Sequence, residues 1–336
     1  MNSILVTGGC GFIGANFIRH WINAYPATRV INVDLLTYAG NPANLADLAA
    51  LPNYAFIHAD IADAEAMAKV LAEYAPDAIV NFAAESHNSR AINDPGAFFR
   101  TNVLGTQVLL EAARQAKTPR FHHISTCEVF GDLALEEEDK FREDYPYRPR
   151  TPYNASKAAA DHAVRAYWHT YQLPITISIC ANNYGPYQFP EKLIPHFATR
   201  LMRGDKMPLY QSSRNRREWL HVQDHCRAIE RVLLDGAIGE TYNVGSEIEM
   251  DIEEVADRLL AIFNLDDSHK MYVPDRPSHD RRYLLDAAKI RRDLGWEAEI
   301  NLEKGFADTV AWYRDNESWW APLVEQETVN ESGWQK

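Results

Sequence analysis

Short apolar runs alternate with helix-like segments through the first half of this chain of 336 residues. Apolar residues predict strands at 4–6, 30–33, 54–58, 78–82, 120–125 and 175–180. Apolar residues at helical spacing predict helices at 12–22, 64–74, 97–116 and 154–171. Strands that alternate with helices are typical of βαβ units, in which neighbouring strands run parallel. We therefore expect a parallel sheet whose two faces are both covered by helices.

A glycine cluster follows the first predicted strand, in the segment TGGCGFIG at 7–14. Gly8, Gly11 and Gly14 would permit a tight turn and let backbone N–H groups approach a pyrophosphate at the positive end of the next helix. Asp34 follows about 20 positions later, at the end of the second strand. A carboxylate there can accept hydrogen bonds from both ribose hydroxyls and would repel a 2′-phosphate, which favours NAD over NADP. The alternative for Asp34 is a turn or cap residue.

The pattern changes after about residue 184, where Gly and Pro become frequent and the apolar segments shorten. We predict an α/β fold with a Rossmann-type doubly wound parallel sheet and a smaller C-terminal α/β substrate-binding domain. The NAD-binding domain is expected over 1–184, with returns near 220–245 and 280–287, and 185–336 would mostly bind substrate. Helices are expected at 251–263 and 302–313, and a loose polar tail after Trp320.

The charge balance excludes some classes of function. The chain has 34 Lys and Arg against 47 Asp and Glu, a net charge of −13, which argues against a general nucleic-acid or membrane-surface binder. Arginines are nevertheless dense in the second half, and together could form a local positive pocket for an anionic ligand, although each alone could be solvated surface: Arg214, Arg216, Arg217, Arg276, Arg281 and Arg282.

The cysteines indicate a reducing, cytoplasmic setting. Cys10, Cys127, Cys180 and Cys226 are far apart, so the spacing suggests neither a zinc site nor a disulfide framework, and no metal is expected. The N-terminal segment lacks the features of a secretory signal, and apolar runs stay short of the roughly 18 residues of a membrane span.

Tyr153 and Lys157 are four residues apart at the start of a predicted helix, so they share one face. The ammonium would stabilise the phenolate and lower the pKa of Tyr153 from about 10, so that it could remove a hydroxyl proton during hydride transfer. Ser125 and Thr126 end a strand and could hydrogen-bond the same substrate oxygen. A Tyr-x-x-x-Lys pair alone occurs by chance in many helices. Here it indicates a catalytic pair because it follows a predicted nucleotide-binding half.

Together these residues resemble the extended short-chain dehydrogenase/reductase family over nearly the whole chain. More narrowly, seven blocks in order resemble the dTDP-glucose 4,6-dehydratase family: DLLTYAGNPANL (34–45), AAESHNSRAI (83–92), HHISTCEVFGD (122–132), TPYNASK (151–157), NNYGPYQFPEKLIP (182–195), REWLHVQDHCR (217–227) and DRPSHDRRYLLD (275–286). So many matching blocks in order make an accidental likeness very improbable.

The resemblance implies the residues of two binding sites. The cofactor NAD would be held by Gly8, Gly11, Phe12, Ile13, Gly14, Asp34, Leu35, Thr37, Asp60, Ile61, Ala83, Ala84, Tyr153 and Lys157. A nucleotide-diphosphate sugar would be contacted by Ser86, Thr126, Asn182, Lys192, Leu193, Pro208, Tyr210, Arg217, His279 and Tyr283. Asp60 and Ile61 are expected to end the third strand, within reach of the adenine.

The resemblance also implies a reaction. Enzymes of that family oxidise C4 of the hexose with NAD, eliminate water across C5 and C6, and return the hydride to C6, which converts dTDP-glucose to dTDP-4-keto-6-deoxyglucose. Thr126, Tyr153 and Lys157 would be the catalytic hydroxyl, base and cation. Glu128 would remove the C5 proton that the C4 ketone acidifies. Residue 127, which would protonate the departing C6 oxygen, is Asp in the family and Cys127 here.

Cys127 is the most informative departure from the family pattern. A thiol with a pKa near 8.5 is mostly protonated at neutral pH and can donate a proton, but it is a weak hydrogen-bond donor. Slower or altered elimination is therefore expected; the alternatives are a tolerated substitution, an engineered variant or a buried cysteine with no catalytic part. Smaller departures from the family pattern leave open which nucleotide base and which sugar the chain binds. They are Ser89 in place of Asp, Gln211-Ser212-Ser213 in place of Gly-Asp-Gly, and Ile252 in place of Asn.

Three other functions stay open from the sequence. The chain could be a nucleotide-sugar 5,6-dehydratase that releases an exocyclic alkene, for example from a UDP-N-acetylhexosamine. It could be a C4 epimerase, although Glu128 argues against this, or a protein that only binds NAD and a nucleotide sugar. The predicted helices 97–116 and 154–171 have apolar and alanine-rich faces, which the resemblance places in an intersubunit bundle of a homodimer; they could equally be core.

Overall fold

The computed structural model describes residues 1–275 and 280–326. The strands are β1 (Ser3–Thr7), β2 (Arg29–Asp34), β3 (Tyr54–His58), β4 (Ala78–Asn81), β5 (Phe121–Thr126), β6 (Ile175–Cys180), β7 (Asn182–Tyr184), β8 (Met207–Tyr210), β9 (Arg216–His221), β10 (Thr241–Val244), β11 (Glu249–Asp251) and β12 (Lys270–Val273). The α-helices are α1 (Phe12–Ala24), α2 (Ala64–Tyr74), α3 (Asn88–Asn93), α4 (Pro95–Phe98), α5 (Thr106–Ala116), α6 (Pro152–Tyr171), α7 (Leu193–Met202), α8 (Val222–Asp235), α9 (Ile252–Phe263), α10 (Ala288–Leu294), α11 (Leu302–Asp315) and α12 (Glu317–Gln326).

Seven of the strands in the described ranges form one parallel sheet, in the order β10–β6–β5–β4–β1–β2–β3. Alternate residues of each strand point to opposite faces: Leu5 and Ile79 join one apolar cluster, with helices α2, α5 and α6, while Ile4 and Val80 join the other, with α1 and α8. The strand order reverses between β1 and β4, which makes their carboxyl ends the topological switch point. The predicted Rossmann-type doubly wound fold is confirmed.

The remaining strands belong to a smaller α/β part of the molecule. Strands β7, β9 and β11 form one sheet and β8 pairs with β12. Helices α7, α9 and α11 pack there around a third apolar cluster, which includes Phe197, Leu259 and Phe306. Strand β10 and helix α8 lie between these elements in the chain but pack with the large sheet. The proposed domain boundary at residue 184 stays a prediction.

The predicted helix 97–116 is helical throughout, but its first part is not a regular α-helix. Helix α4 ends at Phe98, a π-helical segment runs over Phe99–Gly105, and α5 begins at Thr106. The wider π turn places the buried Asn102 where its amide bonds the backbone of Glu85 (2.9 and 3.0 Å) and the Ser156 hydroxyl (2.8 Å). A regular helical pattern in the sequence does not reveal such an insertion.

Two further expectations need correction. The third strand spans the predicted 54–58, so Asp60 and Ile61 follow the strand rather than end it, and Asp60 forms an ion pair with Arg100 at 2.7 Å. The tail after Trp320 is helical as far as Gln326, because Trp320 is buried and its indole N–H donates to the Tyr313 carbonyl at 2.7 Å. Residues 327–336 lie outside the described part. Within the described residues, no helix combines the length and apolarity needed to cross a bilayer.

Candidate active site

A cavity of about 350 Å³ lies at the carboxyl ends of β1, β4, β5 and β6, where the strand order reverses. Every residue predicted to hold the cofactor lines this cavity. So do four of the five predicted catalytic residues: Thr126, Glu128, Tyr153 and Lys157. Ligands of doubly wound sheets bind at this position, because loops from neighbouring strands diverge there.

The glycine turn brings two backbone segments into close contact. Gly8 has φ +69°, and a Cβ at this position would come 2.7 Å from the backbone of Ala83. Its N–H donates to the Val33 carbonyl at 2.8 Å, and Gly11 is the residue before helix α1. The start of α1 lines the cavity and has no side-chain cap, so the N–H groups of its first turn are available to an anion there.

Asp34 is buried beside this turn. Its two carboxylate oxygens accept the N–H groups of Cys10 and Leu36, both at 2.8 Å. Burial raises the pKa of Asp34, although both hydrogen bonds oppose the rise. Each oxygen has a second lone pair, so the carboxylate, which lines the cavity, retains acceptor capacity for ribose hydroxyls. The close glycine turn and this carboxylate fit a dinucleotide without a 2′-phosphate.

Tyr153 and Lys157 lie on the first turns of helix α6, which Thr151 caps by accepting the Asn154 N–H at 3.2 Å. The Tyr153 hydroxyl hydrogen-bonds Thr126. Lys157 donates to the Ile124 carbonyl at 2.7 Å. Burial raises the pKa of Tyr153 well above its usual value, with Glu128 adding to the rise. The expected lowering of this pKa by Lys157 is therefore wrong in direction, because burial is the largest influence on the tyrosine.

Glu128 is half-buried and lines the cavity. One of its carboxylate oxygens accepts the Asn88 side-chain N–H at 2.9 Å, and Asn88 in turn accepts the Thr151 hydroxyl at 2.7 Å. These bonds connect Glu128 to the start of the helix that carries Tyr153. The carboxylate is thus oriented by neighbours but keeps a side open to the cavity.

Cys127 precedes Glu128 in a 3-10 turn but differs from it in exposure, at 1%. It is not among the described residues that line the cavity. Its Sγ lies 4.0 Å from the Asn182 side-chain oxygen, and Asn182 does line the cavity. Burial, then Glu128, raises the pKa of Cys127 well above its usual value, so the thiol keeps its proton.

The predicted substrate residues fall into two groups. Ser86, Thr126, Asn182, Lys192 and Leu193 line the cavity. The Lys192 ammonium donates to the Ser86 carbonyl at 2.9 Å. Pro208 and Tyr210 lie on strand β8, apart from the described cavity lining. His279 lies outside the described residues.

Arg217 and Tyr283 form a separate buried cluster. The Arg217 guanidinium lies 4.6 Å from the centre of the Tyr283 ring and donates to the Asp280 carbonyl at 2.7 Å. Tyr283 donates to the Asp280 carboxylate. The charge of Glu128 acts on both Tyr283 and Asp280, so the cluster borders the candidate catalytic residues.

Sequence analysis missed several residues of the site. Tyr38 and Glu191 line the cavity and are bonded to each other at 2.8 Å, although they come from segments 153 positions apart. Gln188 and Trp219 also line it, and each has one buried polar atom without a partner in the described structure. Tyr38, Gln188 and Glu191 lie in blocks already singled out, DLLTYAG and YQFPEKL, which is the signal that could have found them.

Comparison with known proteins gives consistent results. A family model described as GDP-mannose 4,6 dehydratase matches residues 5–309. The chain is 47% identical over 337 residues to a dTDP-glucose 4,6-dehydratase of Xanthomonas campestris pv. campestris (strain B100), with 95% of each chain covered.

Solved structures agree. The fold is similar to that of a dTDP-glucose 4,6-dehydratase from Streptomyces venezuelae with NAD and TYD, the diphosphate of thymidine, bound: TM-score 0.92, 48% identity, 96% of this chain and 99% of that one covered. It is also similar to a dTDP-glucose 4,6-dehydratase from Bacillus anthracis in complex with NAD: TM-score 0.90, 42% identity, 96% and 100% covered.

Proposed function

The chain belongs to the dTDP-glucose 4,6-dehydratase family, and on that premise we propose that it is an NAD-dependent hydro-lyase that converts dTDP-glucose to dTDP-4-keto-6-deoxyglucose. The observation that carries this proposal is that one cavity is lined by both the glycine turn with Asp34 and the group Thr126, Glu128, Tyr153 and Lys157. A cofactor site and a set of acid–base groups must meet in this way if oxidation and elimination are to occur on one sugar.

The chain takes NAD as its cofactor. When bound, NAD accepts a hydride from the sugar and later gives it back, so the reaction has no net redox change. We assign the pyrophosphate to the first turn of α1 beyond Gly11, and the adenosine ribose to Asp34. Lys157 and Tyr153 face the same cavity from α6.

In the proposed reaction Tyr153 removes the proton of the C4 hydroxyl. The hydrogen bond between Tyr153 and Thr126 lets the threonine hydroxyl stabilise the phenolate and contact the same sugar oxygen. The Lys157 ammonium supplies positive charge beside them. Because burial raises the pKa of Tyr153 in the free protein, that positive charge is needed for the tyrosine to act near neutral pH.

Elimination uses the two residues that follow Thr126. The C4 ketone acidifies the C5 hydrogen, and the Glu128 carboxylate takes that proton. The C6–O bond then breaks, and the Cys127 thiol gives the oxygen a proton, so that water leaves. Cys127 holds a proton that it could give. Because it is 1% exposed and does not line the described cavity, the step requires its side chain to move toward the sugar.

Incubation of the purified protein with dTDP-glucose, UDP-glucose and UDP-N-acetylglucosamine in parallel tests the function. We expect loss of one water from dTDP-glucose and a 4-keto-6-deoxy sugar by proton NMR, with NAD recovered from the protein. An exocyclic alkene would instead support the 5,6-dehydratase, and an unchanged mass would support an epimerase. Bound NAD with no conversion of any of these sugars would support a protein that only binds NAD and a nucleotide sugar.

Glu128→Gln isolates the elimination step. The amide cannot accept the C5 proton, so we expect product formation to fall by about 10²-fold or more, while reduced nicotinamide still forms on mixing with substrate. Solvent deuterium should enter C5 of the product of the wild type, because the proton that Glu128 removes can exchange with solvent before C5 is protonated again. Glu136→Gln, at an exposed carboxylate in a nearby loop, is the control. If C5 deuterium survives wild-type turnover, Glu128 is not the base.

We also propose that the protein is a cytoplasmic homodimer. Phe99, Leu104 and Tyr171 are 44%, 49% and 53% exposed at α5 and α6 and the segment before them, which is high for large apolar side chains. A second copy that packs its own equivalent helices there would bury them. The four cysteines are free and buried, as suits a reducing compartment.

A further inference from the structure

We propose that Asp161 is a positioning residue for the catalytic pair: its buried carboxylate, which forms no direct ion pair with Lys157 in the described structure, is the nearby negative charge that keeps the Lys157 ammonium charged on the helix face it shares with Tyr153. This inference rests on the proposed function, in which Lys157 is the catalytic cation. Asp161 does not line the cavity in the described structure, so it would act only through Lys157.

The two residues are placed together by helix geometry. Lys157 and Asp161 are four residues apart on α6, so they share one face. Lys157 is 5% exposed and Asp161 is fully buried. Lys157 has only one bond of good length, to the Ile124 carbonyl at 2.7 Å, and a neutral carbonyl does not balance its charge. A buried ammonium without a nearby anion would lose its proton.

Asp161 is held rigidly enough to serve as that anion. The Ser125 hydroxyl and the Tyr147 hydroxyl both donate to the same carboxylate oxygen, each at 2.7 Å. Ser125 is the neighbour of the catalytic Thr126 on β5, so the carboxylate also fixes the strand end that carries the threonine. Hydrogen bonds to a carboxylate favour its charged form.

His123 is the other polar side chain beside Lys157, and its hydrogen bonds make it a donor. Thr7 donates to the Asn81 oxygen at 2.6 Å, which turns the Asn81 N–H toward His123 Nδ1 at 3.1 Å. Nδ1 is then the acceptor and Nε2 carries the proton. Nε2 lies 3.4 Å from Asp161 Oδ1 and 3.5 Å from Lys157 Nζ, and Oδ1 has no hydrogen-bond partner in the described structure. An uncharged N–H group at Nε2 cannot balance the ammonium.

The remaining groups around the pair are neutral or positive. Burial, with Lys157 next, lowers the pKa of His123 to about 4, so the ring is uncharged at neutral pH. Burial raises the pKa of Cys180 on β6 to about 12, so that thiol is also uncharged. Arg165 donates to Tyr147 at 2.7 Å and stabilises the carboxylate from its far side. Burial lowers the pKa of Lys157, and among its described neighbours Asp161 is the strongest opposing influence.

The test is the pH profile of Asp161→Asn, which keeps the shape and removes the charge. Without the counterion the pKa of Lys157 falls, so the alkaline limb of kcat/KM should move down by about one to two pH units, with kcat reduced and KM little changed. Asp224→Asn is the matched control. Asp224 lies on another helix, α8, and is a buried carboxylate that accepts the Ile300 N–H at 3.0 Å. This variant should lose stability without a shift in the alkaline limb of kcat/KM. Tyr147→Phe removes one hydrogen bond to Asp161 but leaves the charge, and should also leave the limb in place.

A second readout needs no activity. In Asp161→Asn the folded protein should release the Lys157 proton at a lower pH than the unfolded chain does, so its free energy of unfolding should rise relative to the wild type between pH 7 and pH 10. An unmoved alkaline limb with a pH-independent stability difference overturns the inference, as does an equal shift in Tyr147→Phe. If Asp161→Asn does not fold, Asp161→Glu takes its place. That variant keeps the charge, so its alkaline limb must match that of the wild type, and a shifted limb would also overturn the inference. A wild type that fails to convert dTDP-glucose removes the proposed function, while the unfolding measurement still decides the role of Asp161.

Discussion

At the scale of single residues, Cys127 and Glu128 show how neighbours in sequence can have different chemistry. Glu128 faces the cavity and is oriented by Asn88 at 2.9 Å. Cys127 is 1% exposed, and burial raises its pKa. A buried thiol with a raised pKa holds a proton that it could give, but it is a weak acid, and it is unsuited to act as a nucleophile.

Replacement of Cys127 tests that role. We expect Cys127→Ala to form product at least about tenfold more slowly than the wild type, because no proton donor remains for the C6 oxygen. Appearance of reduced nicotinamide at the first step should be unaffected. Cys226→Ala, at a cysteine that is fully buried on α8, controls for the loss of a core thiol. Equal product rates for Cys127→Ala and wild type would refute the proton-donor role, and the rate of Cys127→Asp would show whether the family's carboxyl group works in this setting.

Single residues also show what a sequence can and cannot predict about a site. Gly8 and Asp34 could be predicted because the glycine turn and the end of the next strand can both be recognised from neighbouring residues in the sequence. Asp161 and His123 could not, because their roles depend on contacts between β5 and α6 that only the folded chain makes. The pKa of Tyr153 was predicted in the wrong direction, because residue spacing reveals the nearby lysine but not the depth of burial.

At the scale of elements, prediction succeeded where one face of a strand or helix is uniformly buried. The bounds of α2 and β6 match the sequence prediction, and β6 is buried at all six positions. The segment 97–116 is helical as predicted, but its π-helical part, Phe99–Gly105, was not predicted, because this part positions Asn102, whose partners lie on other elements. When hydrogen bonds to distant residues shape a segment, the spacing of apolar residues within that segment does not reveal them.

The glycine turn is the element whose replacement has the clearest expected effect. Gly8→Ala should strain the backbone by about 1 kcal/mol and also push β1 away from Ala83, since the added Cβ would lie 2.7 Å from that backbone. We expect the purified variant to hold little NAD and to unfold at a lower temperature. Gly204→Ala is a matched control, because Gly204 has a φ of +78° but open space around it. Its NAD content should equal that of the wild type; an equal loss in both variants would mean that strain alone, not close approach, is at work.

At the scale of the whole molecule, buried histidines set the acid limit of stability. Burial lowers the pKa of His123 and His221 to about 4 and that of His225 to about 3. These rings stay neutral in the fold, while the unfolded chain takes up protons below pH 6.5. Stability is therefore full above pH 6.5 and falls as the pH drops toward 4, by about 2 kcal/mol for each ring at pH 5. Glu218, whose pKa burial raises to about 7, offsets only part of this loss.

His225→Gln should flatten that acid dependence. Glutamine can still donate to the Asn183 side-chain oxygen, which His225 contacts at 3.0 Å, but it takes up no proton on unfolding. We expect the free energy of unfolding, measured by urea titration, to fall between pH 7 and pH 5 by about 2 kcal/mol less than in the wild type. His169→Gln, at an exposed histidine, should leave the slope unchanged. An unchanged slope in His225→Gln would contradict the prediction.

The proposed dimer is a second property of the whole molecule. Leu104→Arg places a charge among the exposed apolar side chains at α5 and α6, so we expect its mass by light scattering to be that of one chain rather than two. Phe56→Arg is the control, because Phe56 is 41% exposed on the edge strand β3 and lies outside the proposed contact helices. A Leu104→Arg variant that keeps the wild-type mass would place the contact elsewhere.

Helix α12 ties the end of the described chain to its beginning. The Trp319 indole donates to Asn44 at 2.8 Å, Asn44 donates to the Cys10 carbonyl at 2.9 Å, and the Cys10 N–H donates to Asp34 at 2.8 Å. During synthesis the first strands emerge long before residue 319, so Asn44 lacks its Trp319 partner until α12 has been made. We therefore expect nascent chains that stop before α12 to hold the dinucleotide less tightly than chains that include it.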